Sequence, residues 1–412
     1  MKNRVVRDDL ISGAAISDRG WRDLFAWISV LWLVLTSGGA YYNSAGVINV
    51  VLLASVAVIA LQFSCCWKAI EKKHGSVLLY AALAIALILL SMIANGDFSS
   101  FLSYARIAVV VLLSLSTVVF LGVDRFLLRS FYVILMVSLI SLVLFYLQVL
   151  PGFSSYFPSF VSNEYSYLNA FVYSEIDGVE RRNAGPFIEP GLFQVYINFA
   201  LALLLFDVVR VRAKNLYILV LLGAVFSTNS TTGFIVALAT VLLSLGMSEK
   251  GRKFENVMKY ALLLGGVAFV FSSDYVISNI EDKFTNDVNM SFVTRFNSTL
   301  IDLAVIEDSP VFGGGAGGYG SQLSYYDARG LVVDAATNTF TQLGAYVGVV
   351  LVLLLVFRGF LFFIRAFRRV QTSVAFVFWY VISFSTEPFL FFPFFYVFPF
   401  LSFFIVRADE RR

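Results

Sequence analysis

Apolar positions in this chain come in long unbroken runs, not in the alternation of a half-buried strand or the stripe of a surface helix. Runs at about 24–42, 47–66, 77–94, 105–123, 130–150 and 190–209 are followed by six more, at about 216–227, 232–246, 259–272, 338–357, 372–386 and 389–406. A membrane-spanning helix needs about 20 predominantly apolar residues. The pattern therefore predicts an all-α, polytopic helical membrane protein of about 12 transmembrane helices in a single integral membrane domain, 1–412. The run at 216–227 is short, and those at 259–272 and 372–386 only just suffice. Two polar stretches, 151–189 and 273–337, are the only sizeable loops, and no heptad or short repeat stands out.

Composition narrows the function classes. Charged residues make up 14% of the chain, against about 25% in a soluble domain, and 17% aromatics exclude a disordered chain. A net charge of +3 is too small to imply nucleic-acid binding. The two cysteines, Cys65 and Cys66, are adjacent and form neither a disulfide framework nor a zinc site. His74 is the only histidine, which leaves no histidine-ligated metal cluster. About 20 polar residues precede the first run, longer than a signal-peptide n-region, so an uncleaved first helix is expected.

Charge placement then orients the chain. With the N-terminus in the cytoplasm, both termini and the even-numbered gaps hold 24 of the 30 basic residues, as the positive-inside rule requires. Arg106, Arg181, Arg182, Lys283, Arg295 and Arg329 remain outside, and both long loops fall outside with them. Chemistry is expected at that outer face.

The first long loop ends in Glu180-Arg181-Arg182-Asn183-Ala184-Gly185-Pro186-Phe187-Ile188-Glu189-Pro190-Gly191. Pro190 fits a first helical turn, where its missing N–H costs nothing, and Glu189 would sit beside the positive end of that helix. This reads either as a capped helix start with a solvated arginine pair or as an anion-handling segment. The turn Ser227-Thr228-Asn229-Ser230-Thr231-Thr232-Gly233 reads either as a polar hairpin or as a helix start offering N–H groups and hydroxyls to an anion. The second loop holds Arg295 and the tract Phe312-Gly313-Gly314-Gly315-Ala316-Gly317-Gly318-Tyr319-Gly320. Its G-x-G-x-x-G matches follow no strand of a βαβ unit, so a dinucleotide site is rejected in favour of a tight turn with close backbone approach. Arg106 is expected to snorkel to the outer surface. The aromatic run Phe389 to Phe400 is expected to face lipid, and His74 sits among cytoplasmic lysines.

Arginine binds phosphate through a permanently charged fork. Two arginine-bearing outer loops and a helix N-terminus would suit a pyrophosphate at the membrane surface, where no nucleotide supplies energy and the donor must arrive activated. At this point the residues resemble a known group, the O-antigen ligase and Wzy-type O-antigen polymerase superfamily. The resemblance rests on Arg182-x-x-Gly185-x-Phe187-x-Glu189-Pro190, on Ser227 to Gly233, on Arg295 followed by Asp308-Ser309-Pro310-Val311-Phe312-Gly313-Gly314-Gly315, and on Thr337-Asn338-Thr339-Phe340 with the segment to Gly348. It covers about 180–358.

The resemblance implies a GT-C-like architecture and a metal-independent inverting glycosyltransferase, without cofactor, in a bacterial inner membrane. Its donor and acceptor would be undecaprenyl-diphosphate-linked glycans in the lipid bilayer, met at the periplasmic face. Arg182 and Arg295 would hold the donor diphosphate. Glu189 would either deprotonate the attacking hydroxyl or orient an arginine. Arg181, Asn229, Ser230, Thr231, Thr232, Arg329 and Asn338 are the further substrate-binding candidates. Ligases of the group carry a histidine just before the asparagine of the last motif, where this chain has Thr337. The polymerase branch is therefore favoured over the ligase branch, with a chain-length regulator as the partner the resemblance implies. A transporter or flippase is the rival class, but it would place ionisable residues near mid-membrane, and these runs are almost free of charge.

Overall fold

The computed structural model describes residues 16–43, 46–73, 75–147, 159–162, 165–168, 182–245, 290–327, 338–367 and 369–405. Helices α1 (Ile16–Thr36), α2 (Ile48–Lys73), α3 (Gly75–Ala94), α4 (Phe101–Leu147), α5 (Pro190–Leu205), α6 (Lys214–Thr228) and α7 (Thr231–Leu245) are followed by α8 (Met290–Asp308), α9 (Gly315–Asp327), α10 (Thr339–Val347), α11 (Val349–Ala366), α12 (Val370–Thr386) and α13 (Pro393–Leu401). One antiparallel hairpin, β1 (Ser159–Ser162) with β2 (Tyr165–Leu168), lies in the first long loop. The all-α class holds, with this hairpin as a small addition. Among the described residues, four helical segments are long and apolar enough to cross a membrane: Ile48–Cys66, Gly75–Ala94, Phe98–Leu147 and Val349–Ala366. Leu53, Leu79, Leu353 and Phe357 on them are 62–73% exposed. Bare apolar flanks of this kind suit a lipid surround.

Several expected runs take a different shape. The runs at 105–123 and 130–150 form one continuous segment, α4, broken at Gly122 (φ 69°, ψ 175°) into two helices. Glycine reaches that conformation without the steric cost of a Cβ. The run at 338–357 is broken at Gly348 (φ 95°) into α10 and α11. Pro310–Phe312 packs against the break, and Val349 N–H donates to the Pro310 carbonyl at 2.9 Å. Helix α8 lies in what the hydropathy pattern left as loop, because its sequence is only weakly apolar. The ninth run, 259–272, lies outside the described residues.

The largest correction concerns the last run. Its aromatic residues do not form an exposed surface: all nine residues of α13 are buried, and so are all sixteen of α5. These two helices form the centre. Helix α5 packs against α4, α6, α7 and α12, while α13 packs against α1, α4 and α11. Phe199, Trp379, Phe394 and Phe398 meet edge to face or tilted at 4.9–6.3 Å. The Trp379 indole N–H donates to the Val195 carbonyl at 3.0 Å. Arg106 is half-buried, its guanidinium 4.7 Å over the Phe391 ring.

The glycine tract forms the expected turn and then, despite its glycines, enters helix α9. What holds it is Asp97, ahead of α4. Asp97 Oδ2 accepts from Gly317 N–H at 2.7 Å and from the Tyr104 hydroxyl at 3.2 Å, while Oδ1 accepts from Ser100 at 2.6 Å. Burial opposes the charge, but the hydrogen bonds from Ser100, Gly317, Tyr104 and Ser99 together hold the carboxyl below its ordinary value of 3.8. Its stabilisation is therefore complete above that value and lost as pH falls through the lower folded one. Asp97→Ala is expected to cost about 1–3 kcal/mol by stranding those donors. Limited proteolysis should then cut at 315–327 before the rest of the chain, and an unchanged melting temperature and cleavage pattern would refute the assignment.

Candidate functional site

The segment from Arg182 to Pro190 is built around two buried side chains. Asn183 accepts at Oδ1 from the Ser141 hydroxyl (2.5 Å) and Gly185 N–H (2.9 Å), and its Nδ2 donates to Ser227 Oγ at 2.9 Å. Phe187 stacks on Tyr196 of α5 at 4.6 Å and on Phe193 at 5.4 Å. Ala40 N–H donates to the Pro186 carbonyl and Ile188 N–H to the Gly38 carbonyl, both at 2.9 Å. Held this way, the segment delivers Glu189 to the N-cap of α5, with Pro190 in the first turn as expected. The Glu189 side chain is exposed and makes no capping hydrogen bond.

The hairpin between α6 and α7 anchors Arg182. Arg182 Nε donates to the Thr228 carbonyl at 3.1 Å, and the Asn183 N–H donates to the Ser227 carbonyl at 2.9 Å. Asn229 closes α6 in a left-handed conformation (φ 49°). Ser230 is spent on the start of α7, where its Oγ accepts from Gly233 N–H at 3.3 Å. Thr231 and Thr232 form the first turn of α7 and are partly exposed. The turn is a capped polar hairpin, the first of the two readings, and its Thr228 carbonyl also accepts from Arg182.

Arg295, on α8, is brought to the end of α12. Its Nη1 donates to the Thr386 carbonyl at 2.7 Å, and its Nη2 lies 3.6 Å from Glu387 Oε1. The Glu387 side chain is only 2% exposed, while that of Arg295 is 35% exposed. Burial pushes the Glu387 carboxyl up to about 8, opposed by the charge of Arg295, assisted by Glu189 and opposed again by Arg182. One buried carboxyl thus feels all three residues that the sequence nominated as catalytic. Asn338 caps α10, its side chain accepting from Phe340 N–H (3.0 Å) and Thr341 N–H (3.3 Å). The next residue, Thr339, donates to the Glu387 carbonyl at 2.5 Å. Nearby, the fully buried Asp302 accepts from Thr341 at 2.5 Å, and burial pushes its carboxyl up to about 6.

Arg182, Glu189, Arg295 and the Asn229–Thr232 turn are therefore assembled at one end of the helices, with Asn338 alongside. Arg181 and Arg329 lie outside the described residues. Asn183 and Glu387 were not among the nominated residues. Asn183 carried no signal of its own beyond its place inside the quoted segment. Glu387 had a better signal: a lone carboxyl between two apolar runs is by default a functional candidate. The chain matches no family model, and no curated protein matches it.

Proposed function

We propose that the protein is a metal-independent inverting glycosyltransferase of the Wzy type, polymerising lipid-linked repeat units at the periplasmic face of a bacterial inner membrane. The observation that supports this reading most is the grouping of Arg182 and Glu189 from the segment before α5, and Arg295 from α8, around Glu387 at the end of α12. Two fixed arginines match the two phosphates of an undecaprenyl-diphosphate donor. In the proposed step, a hydroxyl at the non-reducing end of a new repeat unit attacks the anomeric carbon of the growing chain. The bond from that carbon to the diphosphate oxygen breaks, and undecaprenyl diphosphate leaves with the electron pair. Arg182 and Arg295 stabilise its growing charge, and Glu189 takes the hydroxyl proton. Attack opposite the leaving group inverts the anomeric centre. Twelve spans with both termini cytoplasmic complete the proposal.

The test is removal of the gene followed by electrophoresis of the surface polysaccharide. The expected result is loss of the ladder with single capped units remaining. Loss of every attached repeat would indicate the ligase reaction instead, and an unchanged ladder would overturn the glycosyltransferase reading.

A further inference from the structure

Residues of α5, α8 and α10 converge on Glu387, and the arginine of the second long loop is only one of them. The backbone carbonyls of Thr386 and Glu387 accept from Arg295 Nη1 and Thr339 Oγ1 at 2.7 and 2.5 Å. The side chain turns the other way, onto Gly191 in the first turn of α5. A Cβ on Gly191 would overlap both carboxyl oxygens. Gly191 thus leaves a seat that only Glu387 fills, one residue beyond Pro190 and two beyond Glu189. Within that seat, Oε1 lies 3.6 Å from Arg295 Nη2, too long for a hydrogen bond, and Oε2 has no hydrogen-bond partner among the described residues. An ionised carboxylate buried with an unmatched oxygen is costly, and the neutral acid is less so.

We propose that Glu387 is the positioning residue of this site: seated on Gly191 with its carboxyl 3.6 Å from Arg295 Nη2, it backs the Arg295 guanidinium, which the Thr386 carbonyl anchors, against the end of α5 that carries Glu189. The inference rests on the donor-binding role given to Arg295 above. The charged groups acting on Glu387 are Arg295 from α8, Glu189 ahead of α5 and Arg182 from the segment before it. Burial outweighs them and sets its titration near pH 8. Below that pH, Arg295 keeps an uncompensated positive charge for a diphosphate. Above it, ionised Glu387 competes with the diphosphate for Arg295. Glutamine imitates the neutral acid in size and acceptor, whereas alanine empties the seat.

The experiment uses the full chain in lipid nanodiscs, with undecaprenyl diphosphate as the probe. Glu387→Ala and Gly191→Ala are each expected to weaken binding by about tenfold or more at pH 7, and Glu387→Gln by several-fold less. The ratio of wild-type to Glu387→Gln affinity should fall as pH rises from 7 to 9. Gly191→Ala is the control for folding, because it displaces only the tip of a side chain and should leave the melting temperature nearly unchanged. Wild-type affinity in Glu387→Ala and Gly191→Ala overturns the inference. So does Glu387→Gln binding as poorly as Glu387→Ala at pH 7, which would show that charge is required. Should the wild type not bind the probe, the proposed function falls instead. The positioning claim then stands or falls on the melting temperatures of Arg295→Ala, Glu387→Ala and the double variant, where strict additivity overturns it.

Discussion

Arg295→Ala is expected to abolish the polysaccharide ladder in cells and to slow glycan transfer by about 10²–10³-fold, the cost of removing one preorganised donor from a developing negative charge. The Arg295 side chain does little else in the fold. It is partly exposed, and its contacts run to the Thr386 carbonyl and Glu387 at the end of α12. Its removal should therefore disturb folding far less than turnover. Arg295→Lys is expected to recover only a small part of the activity, because an ammonium cannot hold both the Thr386 carbonyl and a phosphate in the planar geometry of the fork. Arg182→Ala should behave similarly but with some loss of local order, since Arg182 Nε also ties the segment before α5 to the Thr228 carbonyl. A normal ladder in both alanine variants would remove these arginines from the mechanism.

How far the chain could be read in advance follows from what hydropathy measures. It reports whether a side chain dislikes water, not which apolar neighbour it meets. The long helices α2, α3 and α11 were legible because their length and composition leave no alternative in either setting. The last run was read as lipid-facing, but its helix α13 is wholly buried, because Phe394 and Phe398 look the same to a hydropathy scale against lipid or against Trp379. Helix α8 escaped because Asp302, Asn297 and Ser298 dilute its apolar content, although the structure buries all three. The breaks at Gly122 and Gly348 lie in the backbone, where apolar content is silent. At the site, Arg182 and Arg295 were legible as basic residues that the positive-inside reading left over, and Glu189 as the carboxyl just before Pro190. Glu387 carried the signal of a lone carboxyl between two apolar runs, but its place at a run's end does not say which residues it meets. Its importance comes from three-dimensional neighbours, Gly191 and Arg295, that lie 196 and 92 positions away in sequence.

Glu189→Gln is expected to lower the rate of transfer by about 10²–10⁴-fold, the usual contribution of a general base, while leaving undecaprenyl diphosphate affinity close to that of the wild type. The structure offers two carboxyls for this work and separates them by access. Glu387 is shut in beneath Gly191 and Arg295, where an acceptor hydroxyl cannot reach it. Glu189 stands at the N-cap of α5, exposed and without a capping hydrogen bond, on backbone that Phe187 and Asn183 hold rigidly from below. A residue that merely oriented an arginine would show no such split, since its loss would weaken diphosphate binding along with turnover. Glutamine keeps the size of the side chain and can still accept a hydrogen bond, but it cannot take a proton. Measuring transfer rate and probe affinity on the same preparation therefore decides between the two roles. A large rate loss at constant affinity assigns the base, parallel losses make Glu189 a second positioning residue, and unimpaired transfer removes it from the site.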